Sequence, residues 1–390
     1  MSTLVLGACV SAVDFSQWAS GYNKAVEQSH NENLLLNMVR VAYNRPMHFS
    51  TISVVRGNGQ VTRAVSALLP MRDFLALARN GASLSPSFAV TSGFNFDMAS
   101  LDTAEFLSGF LTQISASTIH YYVNQGVPRE LLFNLFIEQL EISVGGRTQV
   151  YDNDPNTPGY QKFTEALRNL LTIGLTTESV ILGATVGPIL SETEAKDPLR
   201  QQTLMQPGMA MEKISSASGS GYKLVKYARV ARFCFKADEN MREKLPAHVL
   251  CGAAERHAGQ ADQTLGVGSA YKEFGDASLM VVPRSTSGVF NYLGNLIYRQ
   301  AESSPPYRLA LKSEEMKNYN YLGRGDDLIR VLKNQPHEGD LVRVEFEGAT
   351  YSVPAEQQGH SALVMSIVSQ VLNLSKSVNS IPVSSSVILR

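Results

Sequence analysis

Charge is scarce in this chain, and neither sign is in excess. Only 18% of the 390 residues are Asp, Glu, Lys or Arg, and 34 basic against 35 acidic residues leave a formal charge of −1. The basic residues are scattered, so no concentrated phosphate-binding face is available and nucleic acid is not expected as a partner. Long apolar runs are missing as well. No stretch approaches the ~18–20 continuous apolar residues of a spanning helix, so any membrane is met through an anchor. Cysteine is limited to Cys9, Cys234 and Cys251, too few and too far apart to make a full zinc-ligand set by spacing, so a zinc site is not expected. HExxH, a GxGxxG after a strand, GxxxxGK[ST] and GxSxG are all absent, which removes the mechanical parts of zincins, dinucleotide sites, P-loops and nucleophile elbows. The seven histidines are dispersed. Asp152-Asn153-Asp154-Pro155-Asn156 imitates the start of a calcium loop, but Thr157 and Phe163 stand where Gly and Glu are required, so an Asx/Pro turn is expected. No catalytic residue, cofactor or metal site is expected.

What the chain does have is patterning. A 44% hydrophobic content suits a globular protein, and the length allows two or three domains. A long helix is expected from Asp14 or Ser16 to Tyr43, stopped by Pro46. Within it Asn33, Asn37, Arg40 and Asn44 recur at steps of four, three and four and form one polar stripe on an otherwise apolar cylinder. Such a helix is either a central core helix with one solvated edge, or it carries its stripe to a subunit contact or polar cleft. Strand signals follow at Pro46–Val55, with Gly57-Asn58-Gly59 as a turn, and around Phe88–Val90. Asp102 caps Thr103–Ile114, Ser117 caps a short helix closed by Gly126, and Pro128 opens Arg129–Leu140. A strand is expected at Glu141–Val144, and a helix at Tyr160–Ile173 that ends at Gly174. Residues 176–222 read as long loops with one strand near Val180–Val186, an exposed excursion. Tyr222–Phe235 reads as a strand pair.

Ser285 or Ser287 then starts a helix through Gln300. Strands are expected at Tyr307–Leu311 and Leu328–Leu332, with a hairpin about Glu347-Gly348, a helix at Ser361–Ser375 and a last strand at Ile381–Leu389. Helices and hairpins do not alternate as βαβ units, so the fold class is α+β. Its expected parts are a long buried N-terminal helix, a helical middle section, antiparallel hairpins and a C-terminal hairpin-helix-strand unit. In segments, 10–175 is mainly helical, 176–284 is loop-rich, and 285–390 is an α+β part able to join 10–175 in one domain.

Leu6-Gly7-Ala8-Cys9, behind the apolar stub Leu4-Val5-Leu6, resembles the lipobox of bacterial lipoproteins. The resemblance implies cleavage before Cys9 and acylation of its sulfur. A signal peptide has a positively charged start and an apolar core of about 7–15 residues. Only eight residues precede Cys9 and none is Lys or Arg. Translation is therefore expected to begin upstream, with 1–9 a truncated signal peptide and anchor site. Val10 after the cysteine implies the outer membrane. If Cys9 is acylated, Cys234 and Cys251 remain, and one disulfide between them, formed in an oxidising compartment, is expected, with two buried thiols as the alternative. More widely, Asn31–Phe49 with Pro46-Met47-His48-Phe49, Leu101–Phe106, Val127–Leu132, Tyr292-Leu293-Gly294 and the C-terminal hairpin, helix and strand are similar to an uncharacterised family of proteobacterial envelope lipoproteins. That similarity implies export and one continuous architecture, and it assigns no catalytic residue.

The leading expectation is a non-enzymatic outer-membrane lipoprotein, a structural or assembly component of a cell-envelope machine. Its partners would be the membrane, through the lipid anchor, and a homo-oligomer or other envelope-complex proteins. A lipid-anchored periplasmic hydrolase or glycan-processing enzyme, with acids distant in sequence, is the alternative. A periplasmic saccharide- or peptide-binding module is the second. A deep cleft with convergent carboxylates, a concave aromatic pocket and an exposed apolar surface distinguish the enzyme, the binder and the scaffold.

Overall fold

A computed structural model describes residues 15–62, 89–144, 147–205, 209–216, 219–245, 247–252, 270–274, 277–319, 325–355 and 359–376. The lipobox-like segment with Cys9 and the expected strand Ile381–Leu389 lie outside the described residues. The chain divides into two compact units, one of residues 1–47 with 107–376, the other of 48–106 with 377–390. Most of 10–175 thus shares a unit with 176–284 and much of 285–390.

In the smaller unit β1 (Ser50–Thr62) and β2 (Ala89–Ser100) pair antiparallel, with a bulge between Ile52 and Val54. Gly57-Asn58-Gly59 does not turn. It pairs in mid-strand with Phe94, Gly93 and Ser92, because a partner strand completes the ladder that local propensity leaves open.

In chain order the helices are α1 (Phe15–Ala42), α2 (Ala104–Leu111), α3 (Ala116–Asn124), α4 (Arg129–Phe136), α5 (Tyr160–Ile173), α6 (Glu192–Lys196), α7 (Pro198–Leu204), α8 (Glu239–Arg242), α9 (Thr286–Glu302), α10 (Glu314–Tyr319) and α11 (Ser361–Leu374). No helix among the described residues is long and apolar enough to cross a membrane. Local chemistry accounts for several ends. Ser285 caps α9 by accepting from the Gly288 N–H at 3.0 Å, and Gly174, at φ +107°, closes α5. The cap of α3 is Ser115, which accepts from Thr118. The expected cap, Ser117, instead accepts from the Ala231 N–H on a distant strand.

Burial corrects the expected centre of the fold. From Ser20 to Ser29 the described side chains of α1 are largely exposed, and its second half is buried through Leu34, Leu35, Met38, Val39 and Ala42. It meets α9 at Gly294, where a Cβ would lie 2.7 Å from Val41 Cγ1 and 3.0 Å from the Met38 carbonyl. The helix buried all round is α4, where every residue from Glu130 to Phe136 is inside. It ends four residues before the expected boundary, because Ile137 turns to extended geometry and starts a strand paired on both sides.

The remaining strands are β3 (Ile137–Val144), β4 (Arg147–Asp152), β5 (Leu175–Thr185), β6 (Met209–Ser216), β7 (Gly219–Phe235), β8 (Ala270–Phe274), β9 (Ala277–Pro283), β10 (Leu332–Lys333), β11 (Val342–Phe346) and β12 (Ala349–Val353). They form antiparallel sheets ordered β4-β3-β9-β8, β5-β7-β6 and β10-β12-β11. The fold is α+β. Glu347 and Gly348 both take positive φ, +48° and +79°, as the tight hairpin between β11 and β12 requires.

Three expectations change here. Residues 176–222 are not mainly loop, since β5, α6, α7 and β6 occupy most of them. Tyr222–Phe235 is one long strand rather than a pair. Tyr307–Leu311 contributes a single bridge, Ala310 to Asp327, and of Leu328–Leu332 only Leu332 lies in a strand, the short β10.

Candidate functional site

The feature that stands out chemically is the β5-β7-β6 sheet. β7 is its spine. Its second half carries β5 along one edge, Leu175 opposite Phe235 through Thr185 opposite Val225. Its first half carries β6 along the other edge, Met209 opposite Lys226 through Ser216 opposite Gly219. Beyond β5 the chain continues to track β7, with the Val186 N–H donating to the Leu224 carbonyl and Leu190 and Tyr222 exchanging both backbone bonds.

The base of this arm is held on both faces. Directly opposed residues share a face, so Thr177, Phe233 and Ala231 lie on one side, and Glu178, Arg232 and Cys234 on the other. On the first face Phe133 of α4 packs edge-to-face on Phe233 at 5.7 Å, and His120 Nδ1 of α3 meets Thr177 Oγ1 at 3.1 Å. On the second face residues 247–252 are fastened. Cys234 and Cys251 form a disulfide with an S–S distance of 2.00 Å. Arg232 pairs with Glu178 at 2.7 Å and donates to the Leu250 carbonyl, while the Gly252 N–H donates to Glu178. Donor atoms of Glu178, Cys234 and Cys251 lie within 4.8 Å of one another. With the sulfurs bonded to each other, neither is a thiolate that could ligate a metal.

Past Val180 the cover thins, although Leu190, Leu224 and Val225 stay buried and Ala195 of α6 is buried too. Ile181 and Arg229 are exposed on one face, Ala228 and Lys226 on the other. Ile181, Val186, Ile189, Leu199 and Met205 are large apolar side chains left in water within residues 181–205, with Ile189 64% and Leu199 75% exposed. On the outer arm Lys223 and Glu212 face each other across β7 and β6 at 3.0 Å, and the Tyr227 hydroxyl donates to the same carboxylate. That hydroxyl, followed by the lysine, holds the Glu212 carboxyl below its ordinary pKa. The cluster helps to pin the register of β6 on β7.

A second polar group of residues lies inside, at the C-terminal end of α4. The last carbonyls of a helix have no intrahelical donor. Here Arg284 Nη1 donates to the Asn134 and Leu135 carbonyls at 2.9 and 3.1 Å, and its backbone N–H donates to Phe136 O. Nη2 reaches the Asn153 carbonyl, and Asn153 Nδ2 serves Asn134 O and Ile137 O. Burial lowers the Arg284 pKa to about 10. Burial also pushes the hydroxyls of Tyr160 and Tyr292, 3.2 Å apart, above the usual tyrosine range. At the other end of α4 the buried Glu130 carboxylate accepts from the Lys312 and Ser313 N–H groups at 2.8 and 2.7 Å and from Arg168 Nε. These groups meet the terminal carbonyls of α4 and the Glu130 carboxylate and brace α4 in the core, while Asn134 Oδ1 and Asn153 Oδ1 have no partner among the described residues.

Among the residues singled out from sequence, Cys234 and Cys251 come together. Asn33, Asn37 and Arg40 are linked along α1: Asn37 Nδ2 donates to the Asn33 side chain at 2.7 Å, and Arg40 donates to Asn37. Asn37 is fully buried, while Asn44 lies beyond the helix, exposed and at φ +56°. Motif reading misses Arg284 and Glu130. Their key partners lie 150 and 182 residues away, and neither has a local signature. The chain matches no family model, no curated protein and no solved structure.

Proposed function

We propose that this protein is a non-enzymatic structural component of a cell-envelope assembly, held at the outer membrane by an acylated Cys9 and joined to further copies of itself through the β5-β7-β6 arm. One observation carries the reading. On the outer arm Ile181 of β5 and Val186 and Ile189 just past it are exposed, as are Leu199 of α7 and Met205 after it, around a buried set of Leu190, Leu224 and Val225. Exposed apolar side chains grouped in this way gain stability when another surface packs on them. The two edges of the sheet, β5 and β6, differ, so head-to-tail contact between copies is heterologous and builds a ring or a filament.

Size-exclusion chromatography with light scattering on the chain from residue 10 tests this. The expected result is a defined multimer that falls to a monomer in Ile181→Asp/Ile189→Asp with its circular dichroism unchanged. A parent protein that stays monomeric at every concentration tried would sink the assembly role. Mass spectrometry of membrane fractions from cells using the native start tests the anchor, which requires a lipid-sized increment on Cys9.

A further inference from the structure

A groove of about 580 Å³ runs between β4 and α5, lined on one wall by Gln149, Val150 and Tyr151 and on the other by Gly159, Lys162, Glu165, Ala166 and Asn169. The walls are of different kinds. Residues 162, 165, 166 and 169 recur at helical spacing and present one exposed face of α5. The three consecutive β4 residues include both side-chain directions, so that wall is the strand's edge rather than one of its faces.

β4 is the end strand of its sheet, with β3 its one strand neighbour among the described residues. The phase of its hydrogen bonds follows from a single contact. The Asn153 N–H donates to Glu138 O at 2.9 Å, so that pair faces inward. Alternation along the register turns Tyr151 and Gln149 inward, toward Leu140 and Ile142. The N–H and C=O groups of Thr148, Val150 and Asp152 therefore point away from β3, and Val150 sits in the groove wall. Lys162, exposed on the opposite wall, has no ion pair among the described residues.

We propose that this groove binds an extended peptide segment, which adds to the sheet as a strand along the outer edge of β4 and sets an acidic side chain against Lys162. The open backbone edge supplies sequence-independent hydrogen bonds, and the helix wall supplies selection, as in other strand-addition sites. The small Gly159 and Ala166 leave room for the added strand. At Gly159 a Cβ would meet nothing within 4 Å.

Fluorescence anisotropy with the full chain tests the proposal. The probe is a labelled nine-residue peptide alternating threonine and valine around one central glutamate. Saturable binding is expected. Replacing that glutamate by glutamine should weaken it about two- to five-fold, the range of an exposed ion pair. Lys162→Ala should weaken the glutamate peptide by a similar factor and abolish the preference. Val150→Pro removes an outward N–H without touching the β3 ladder, and should eliminate binding. Gly159→Phe, which fills the groove from a position with space around it, should do the same and serves if the proline variant fails to fold. Absence of saturable binding, or binding unchanged in a folded Val150→Pro or Gly159→Phe protein, overturns the proposal.

Discussion

The guanidinium carbon of Arg284 lies 4.0 Å from the centre of the Tyr292 ring, and this stacked pair sits over the C-terminal carbonyls of α4. A buried cation is tolerated when dipoles and hydrogen bonds replace its water. Here the helix terminus offers partial negative charge, and the ring offers its electron-rich face.

Arg284→Met should therefore destabilise the protein by about 3 kcal/mol or more, since several buried carbonyls lose their donors together. Arg284→Lys keeps the charge but lacks the planar fork, and it should fall between the two. Urea unfolding at a constant m-value would show this. A methionine variant as stable as the parent would remove the capping argument.

Stability should decline above about pH 10. An unfolded tyrosine releases its proton near that pH. Burial, and for Tyr122 also the neighbouring Tyr121, raises the folded-state pKa of Tyr122 to about 12, and burial holds Tyr160 and Tyr292 higher than usual as well. In that window the folded chain keeps protons that the unfolded chain has lost, so their contribution, complete at lower pH, drains away as pH rises. Arg284 acts in the opposite sense, because its folded pKa, about 10, lies below its unfolded value. Three tyrosines oppose one arginine, so the net slope is downward. Tyrosinate absorbance should show a class of tyrosines that ionises only as circular dichroism is lost.

Reducing the Cys234–Cys251 bond, whose residues are 17 apart, should cost about 3 kcal/mol in the chain-entropy model. The Arg232 and Glu178 contacts hold residues 247–252 against β7 independently. The reduced protein should thus still fold, with a lower urea midpoint. Intact mass and thiol titration on oxidised protein would register two free thiols if the pairing is wrong.

Two glycine-to-alanine changes should have opposite signs. Gly21, in the exposed stretch of α1, has nothing within 4 Å of its missing Cβ, so alanine there should stabilise by roughly 1 kcal/mol through helix propensity. At Gly294 the same propensity gain meets overpacking of about 1–3 kcal/mol, because the Met38 carbonyl in its path is backbone and cannot swing aside. Thermal melts should separate the pair. Equal shifts would mean that α1 and α9 are less closely packed than described.

The arm is where reading the chain in order stopped working. Met209–Ser216 and its flanks are rich in Ser, Gly and Met and give little strand signal. They become β6 because β7 presents a complementary edge. Propensity is a weak local bias, and a ladder of backbone hydrogen bonds to a neighbour overrides it. The α1 stripe has a related limit. Its periodicity describes one helix correctly, but which helix is surrounded depends on what other segments bring to it.

Sequence by itself determined the elements whose instructions lie within a few residues: the span of α1, the stop of α5 at Gly174, the Ser285 cap of α9, and the Glu347-Gly348 hairpin. Only the tertiary structure decided that α4 is the central helix, that Arg284 and Glu130 brace its two ends, that β7 carries a strand on each edge, and that β4 has a strand neighbour on one edge alone among the described residues. Caps and turns are short-range geometry, whereas the partners of a buried charge or a strand edge arrive from far along the chain, and nothing in the local pattern announces them.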